Sequence, residues 1–193
     1  MLQHLRPTLV LLTLFTLLTG LAYPLAITGI ARQLFPQQAA GSLVQRADGT
    51  VIGSSLIGQA FTRPDYFHGR PSATSPTPYN AAASGGSNLG PTSKALIERI
   101  RADTAALQAE NPGAAVPVDL VTTSGSGLDP HISLAAAEFQ LPRVARTRHA
   151  DPQKLRALIA GLAEPEVLGI LGEPVVNVLQ LNLALDAAFP SPG

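Results

Sequence analysis

Ten residues near the middle of the chain, SGSGLDPHIS (residues 124–133), hold three serines, an aspartate and a histidine. Those side-chain types can run acyl transfer: an imidazole takes the hydroxyl proton while a carboxylate orients the ring. The spacing argues against it. A nucleophile elbow reads G-x-S-x-G on a strand-to-helix turn. Ser124 has no glycine two positions before it, and Ser126 is flanked directly by Gly125 and Gly127. Asp129-Pro130 instead begins a turn, and Ser133 stands where a helix N-cap belongs. The stretch therefore reads as a glycine turn entering a helix. Such a turn can hold an anion or a partner's backbone. Ser124, Ser126, Asp129 and His131 are candidate ligand- or partner-contact residues, and none is assigned a catalytic role.

GGSNLGPTS (residues 85–93) imitates a phosphate loop through Gly85 and Gly90, but Pro91 stands where the phosphate-binding lysine belongs. Without that ammonium the loop reads as a glycine entrance to a helix, and Gly85, Gly86, Ser87 and Asn88 join the candidate contact set. The histidines at 4, 68, 131 and 149 have no metal-ligand spacing, so no metal site is expected. Glu164 and Glu166 share a proline-containing loop and read as solvated. No Asp-Lys pair occurs anywhere, so the aspartyl-phosphate signature D-K-T-G is missing. No tightly bound cofactor is expected.

These loops need a scaffold. With 193 residues there is room for one modest domain and a tail. The formal net charge is zero and lysine occurs only at 94 and 154, so no basic stripe suits nucleic acid. Cysteine is absent, which excludes disulfides and thiolate chemistry. From Pro7 to Ala31 no residue is charged, and residues 8–30 are long enough to span a hydrocarbon core of about 30 Å. Its apolar run exceeds the roughly 7–15 residues of a signal-peptide core, and no A-x-A site follows, so it reads as an uncleaved anchor. Thr16, Gly20, Tyr23 and Pro24 suit a kink or close helix packing. Residues 1–7 are then a short cytoplasmic tail and 31–193 an extracytoplasmic soluble domain.

The expected fold class is α+β: a single transmembrane helix followed by one mixed domain. Residues 43–61 read as extended pieces around Asp48-Gly49. Residues 62–91 are punctuated by proline and glycine, yet Tyr66, Phe67 and Tyr79 predict an ordered loop rather than a linker. Thr92 or Ser93 caps a helix to about Glu110, and Ser133 one to about Thr147, with Pro142 a candidate bend. Asp151-Pro152 starts another, to about Leu162. VPVDLVTT (116–123) and VVNVLQL (175–181) read as strands, the latter followed by a short helical tail.

Five blocks in this order, GLAYPLAITGIARQLFP (20–36), GSSLIGQAFTRPDYFHGRPSA (53–73), YNAAASGGSNLGP (79–91), VDLVTTSGSGLDPHIS (118–133) and LGEPVVNVLQLNLALD (171–186), resemble the C subunit of the Kdp-type potassium-transporting ATPase. The resemblance covers the chain from the anchor to Asp186. It implies a non-catalytic accessory subunit of an ATP-driven potassium importer in the inner membrane, with a cytoplasmic N-terminus. Implied partners are a potassium-translocating channel-like subunit, a P-type ATP-hydrolysing subunit and a very small membrane subunit, besides the lipid bilayer. The family is described as a catalytic chaperone that raises ATP affinity; ATP contact is implied on that description alone, and potassium is the ion the complex carries. Leu162, Ala163, Glu166 and Val175 depart from the family pattern. The competing expectation is an independent membrane-anchored module that binds a small ligand in the two glycine loops.

Overall fold

The computed structural model describes residues 2–46, 48–166 and 169–191. It divides into two compact units, Met1–Ile52 and Gly53–Gly193.

The first unit is dominated by one long helical rod. Helix α1 (Leu2–Leu17) passes through a π-helical turn (Leu18–Ala22) into α2 (Tyr23–Leu34). Helical structure thus extends past both ends of the span expected from sequence. The wide turn has a local cause. Pro24 carries no N–H, and its ring would press on the carbonyl four residues back, at Gly20. The chain relieves this by opening the ladder, so the Tyr23 N–H reaches the Leu18 carbonyl five residues away. The predicted kink site is therefore a π turn rather than a break. The stretch Gln3–Leu34 is apolar and long enough to cross a membrane. A short helix α3 (Pro36–Ala39) leads to strand β1 (Leu43–Gln45), which pairs with β2 (Val51–Ser54). At the turn between them the Asp48 carboxylate accepts the Thr50 N–H at 2.9 Å, as the Asp-Gly pair predicts.

The second unit is built on helices α4 (Lys94–Glu110), α5 (Leu134–Arg148), α6 (Pro152–Gly161) and α7 (Val178–Ala188), with strands β3 (His131–Ser133), β4 (Ala163–Glu164) and β5 (Val175–Asn177). Three expected caps are made. Ser93, Ser133 and Asp151 accept N–H groups of Leu96, Ala136 and Gln153. Strand β5 lies between β3 and β4 and is antiparallel to both, with His131 opposite Asn177 and Glu164 opposite Val175. One core joins the sheet to α5, α6 and α7 through Ile132, Val144, Leu155, Val176, Leu181 and Leu185.

Two strand expectations are corrected. Residues 116–123 contain a 3-10 turn (Val118–Leu120) instead of a strand. Pro117 removes a ladder donor there, and Asp119 turns its carboxylate to the Ser133 N–H at 2.8 Å and the Ser133 hydroxyl at 3.1 Å. Residues 175–181 extend only to Asn177. Its side chain then accepts the Gln180 N–H and caps α7, which buries Leu179, Leu181 and Leu185. The expected helical tail is a core helix.

The expected ordered loop is present and runs through the core without a sheet partner. Side chains substitute for one. Gln140 Oε1 accepts the His68 N–H at 2.8 Å, and Gln140 Nε2 donates to the His68 carbonyl at 3.1 Å. Arg143 donates to the carbonyls of Pro64 and Tyr66 and pairs with Glu110. Arg148, with no side-chain exposure, donates to the Asp65 carbonyl at 2.8 Å, meets Asp186 at 2.7 Å and stacks its guanidinium 4.7 Å from the Tyr66 ring centre. Phe67 is fully buried as a result.

Candidate functional site

The glycine turn of residues 124–131 is held by its own serines. Ser124 Oγ accepts the Gly127 N–H at 2.9 Å, and Ser126 Oγ accepts the Leu128 N–H at 3.1 Å. Both hydroxyls act as turn acceptors, and the His131 ring faces carboxylates instead. The arrangement is not that of an activated nucleophile.

The same turn is stitched to its surroundings on every side. The Ser126 carbonyl accepts the Gly85 N–H at 2.8 Å and the Ser84 hydroxyl at 3.1 Å. The Gly127 carbonyl accepts the Ser72 hydroxyl at 2.7 Å, and the Leu128 carbonyl accepts the Gly58 N–H at 2.8 Å. Gly127 has φ +68°, where a Cβ would lie 2.7 Å from the Gly85 carbonyl oxygen and 2.8 Å from Thr74 Cγ2. Gly58 is as constrained: its Cβ would collide with the Tyr79 ring and lie 2.8 Å from the Asp129 carbonyl oxygen. The two candidate loops therefore form one structure. Gly85 and Gly86 sit against Ser124–Gly127, Ser87 follows half-buried, and Asn88 is exposed with φ +53°. The Gly85 N–H, which a phosphate loop would offer to its ligand, is spent on Ser126.

A chain of charges crosses this joint. Arg70 Nη1 meets Asp129 Oδ2 at 3.1 Å, and the guanidinium also reaches the carbonyls of Thr122 and Thr123. Asp129 Oδ1 accepts the His131 N–H at 3.0 Å and faces His131 Nδ1 at 3.4 Å; His131 Nε2 faces Glu164 Oε1 at 3.7 Å. The His131 ring and its backbone N–H, then Arg70, hold the Asp129 carboxyl below its usual range against the opposing effect of burial. Asp129 in turn raises His131 above the ordinary imidazole value, with Glu164 adding to it. Burial pushes the Tyr79 phenol up to about 12, with Asp129 contributing; its hydroxyl donates to the Arg70 carbonyl.

Beside the turn lies an open cleft of about 570 Å³ lined by Leu56, Ile57, Arg70, Ser124, Ser126 and Asp129. Its one guanidinium is already neutralised by Asp129, so it offers little to an anion. Among the described residues no cluster of three or more imidazole, thiolate or carboxylate groups is placed to hold a metal.

Glu164 is solvent-exposed, as its loop position predicts, and the sheet also brings it across to His131. Arg70, Asp65, Gln140, Arg143, Arg148 and Asn182 are not singled out by motif or spacing, yet they organise the site and its supporting loop. One signal does exist for α5: Ala136, Gln140, Val144 and Arg148 recur every four residues, so Gln140 and Arg148 share the face of the core residue Val144. Of the family departures, Leu162 packs against the core, Ala163 pairs with Val176, and Val175 is half-buried in β5 opposite Ser133. Glu166 is half-buried just before Val167 and Leu168, which lie outside the described residues. Thr16, Gly20, Tyr23 and Pro24 are all exposed along the rod, around the π turn.

The family model of KdpC, the K+-transporting ATPase c chain, matches residues 5–187. The potassium-transporting ATPase KdpC subunit of Methylobacterium nodulans is 64% identical, with 96% of this chain and 98% of that protein covered. The KdpC subunit of Methylorubrum extorquens is 62% identical, covering 96% and 97%. That of Caulobacter vibrioides is 59% identical, covering 98% and 96%.

Proposed function

This chain belongs to the KdpC family, the c chain of the K+-transporting ATPase, and we propose that it is a non-catalytic accessory subunit that assembles and stabilises an ATP-driven potassium import complex. Its partners in this reading are the channel-like potassium-translocating subunit, the P-type ATP-hydrolysing subunit and the very small membrane subunit. The rod spans the inner membrane with its N-terminus in the cytoplasm, and the second unit lies outside.

The observation that carries the reading is the state of the two glycine loops. They are bonded to each other through Gly85 and Ser126, and their serines are used within the turn. A rigid, prearranged joint of this kind suits docking, because little ordering entropy is lost when a partner binds. It suits direct nucleotide contact poorly, because the phosphate-loop lysine is missing and the Gly85 N–H is engaged. An effect of this subunit on ATP affinity would then be exerted through the ATP-hydrolysing partner, by favouring one of its conformations.

The test is gentle detergent purification of the tagged chain from potassium-starved cells, with mass spectrometry of the proteins that remain bound. Stoichiometric recovery of a P-type ATPase and a channel-like subunit is expected. Recovery of the intact, folded chain alone would overturn the reading. A photoreactive ATP analogue added to the purified complex should label the ATPase subunit and leave this chain unlabelled.

A further inference from the structure

His131 is held between two carboxylates that belong to different elements. Asp129 is on the glycine turn; Glu164 is on β4, a two-residue edge strand that pairs with β5. The other charges around it are accounted for. Arg70 engages the far oxygen of Asp129; Asp119, from the 3-10 turn, bonds Ser133; Glu138 of α5 is paired with Arg156. Strand β5 presents uncharged Asn177 in register with His131. Among the described residues, only Asp129 and Glu164 lie within ion-pair range of the ring.

Two carboxylates flanking one ring favour the imidazolium. The cation carries a proton on each ring nitrogen, so each carboxylate faces an N–H. The neutral ring carries one N–H, and its other nitrogen turns a lone pair toward a carboxylate. The two carboxylates are unequal competitors for that single proton. Asp129 sits within 3.4 Å and is also fixed by Arg70 and the His131 backbone N–H; Glu164 is farther, at 3.7 Å, and half exposed. Deprotonation therefore releases Glu164 first.

We propose that His131 is a pH-operated clasp: its cation ties the glycine turn to strand β4 through Asp129 and Glu164, and loss of the proton frees β4 while leaving the turn in place. The direction agrees with the raised affinity of His131 for its proton. The tie is fully made below the ordinary imidazole range, about 6.5, and is lost as pH rises through the higher midpoint of the folded protein. A small alkaline change on the side where this unit lies would then loosen one edge of the sheet.

The experiment uses the full chain in mild detergent. Imidazole resonances are followed by NMR, with His131 assigned by its loss in His131→Asn, and hydrogen exchange is measured on the peptide covering residues 162–166 after correction for intrinsic rates. The His131 midpoint is expected above 6.5 and lower in Glu164→Gln, whose exposed site tolerates the change. Exchange in that peptide should slow roughly 2–5-fold on acidification through the midpoint, the rate equivalent of a partly exposed ion pair, and Glu164→Gln should abolish the step. A midpoint at or below 6.5, a midpoint that Glu164→Gln leaves in place, or β4 exchange without a pH step would each overturn the clasp.

Discussion

The carboxamide of Asn182 pairs with the backbone of Phe67 on both sides: Oδ1 accepts the Phe67 N–H and Nδ2 donates to the Phe67 carbonyl, each at 2.9 Å. A helix side chain thereby does for a loop what a neighbouring strand does in a sheet. Both partners are buried, so water cannot replace the bonds. Asn182→Ala strands two buried backbone groups and should cost about 3–5 kcal/mol. Asn182→Asp keeps one acceptor, loses the donor and buries a charge, and should be no better. Urea unfolding of the full chain in detergent, followed by circular dichroism, measures both. A loss below about 1 kcal/mol for Asn182→Ala would mean the loop is held by Gln140 and the arginines alone.

Arg148 makes the second test of that loop. Its side chain is fully buried between Asp65, Asp186 and the Tyr66 ring. Burial works to raise the Asp65 carboxyl, but Ser191 and Arg63 together hold it below its usual range. Arg148→Met leaves the carbonyls of Asp65 and Phe189 without their donor, while the partly exposed Asp186 keeps the Tyr66 hydroxyl, and should destabilise by about 2–4 kcal/mol. Arg148→Lys should recover little, since an ammonium cannot reach the carbonyls of Asp65 and Phe189 and the Asp186 carboxylate at fork geometry. Full rescue by lysine would show that charge alone matters there.

These two residues mark the limit of what the chain's letters disclose. The helix starts are legible because a cap is a local signal, and Ser93, Ser133 and Asp151 cap as their positions imply. VPVDLVTT and VVNVLQL mislead because β-branched runs look the same whether the chain later finds a sheet or not. Asp119 bonding to Ser133, and Asn177 capping α7, decide them. The two glycine loops are legible as loops. Their union is not, since Gly85 and Ser126 meet only through the fold. The same holds for His131 and Glu164, brought together by strands that are each too short to show a period.

The joint between the loops is sensitive at one glycine and tolerant at another. Gly127 combines a left-handed φ with a carbonyl 2.7 Å from any Cβ, whereas a Cβ at Gly85 meets nothing within 4 Å. Gly127→Ala should cost about 2–4 kcal/mol, from φ strain and the clash together. Gly85→Ala should stay within about 1 kcal/mol. Thermal unfolding of the two variants side by side separates conformational demand from simple glycine content. Equal losses would contradict the geometry.

Two histidines should give opposite pH signatures. Burial lowers the proton affinity of His68, so the stability it contributes falls as pH drops below about 6.5, where the unfolded chain takes up the proton first. Asp129 raises that of His131, so its contribution is present below about 6.5 and is lost as pH climbs through the folded midpoint. On going from neutral to mildly acidic buffer, His131→Asn should lose more stability than the wild type, and His68→Asn less. Denaturation midpoints at matched pH values read this directly. The same slope in both variants would show that neither ring is perturbed as described.

The last prediction concerns the rod. Gly20 lies within the π turn and Thr16, Tyr23 and Pro24 flank it, and a Cβ on Gly20 meets nothing within 4 Å. Leucine at 16 and 20 should therefore leave the isolated chain folded, because nothing inside it is displaced. In a bilayer, small residues allow helices to approach closely, and two leucines would hold a partner helix away. If the rod docks on the other subunits through this face, Thr16→Leu/Gly20→Leu should reduce co-purification of the ATPase and channel-like subunits, while the same pair of leucines replacing Ala26 and Ala31 serves as the comparison. Pro24→Ala tests the turn itself: restoring the N–H lets the ladder close to ordinary α geometry, which rotates the helix before Gly20 relative to the helix after Pro24. Loss of co-purification in Pro24→Ala without the leucines would assign recognition to the register set by the π turn, and unchanged recovery in both variants would place the docking surface elsewhere on the chain.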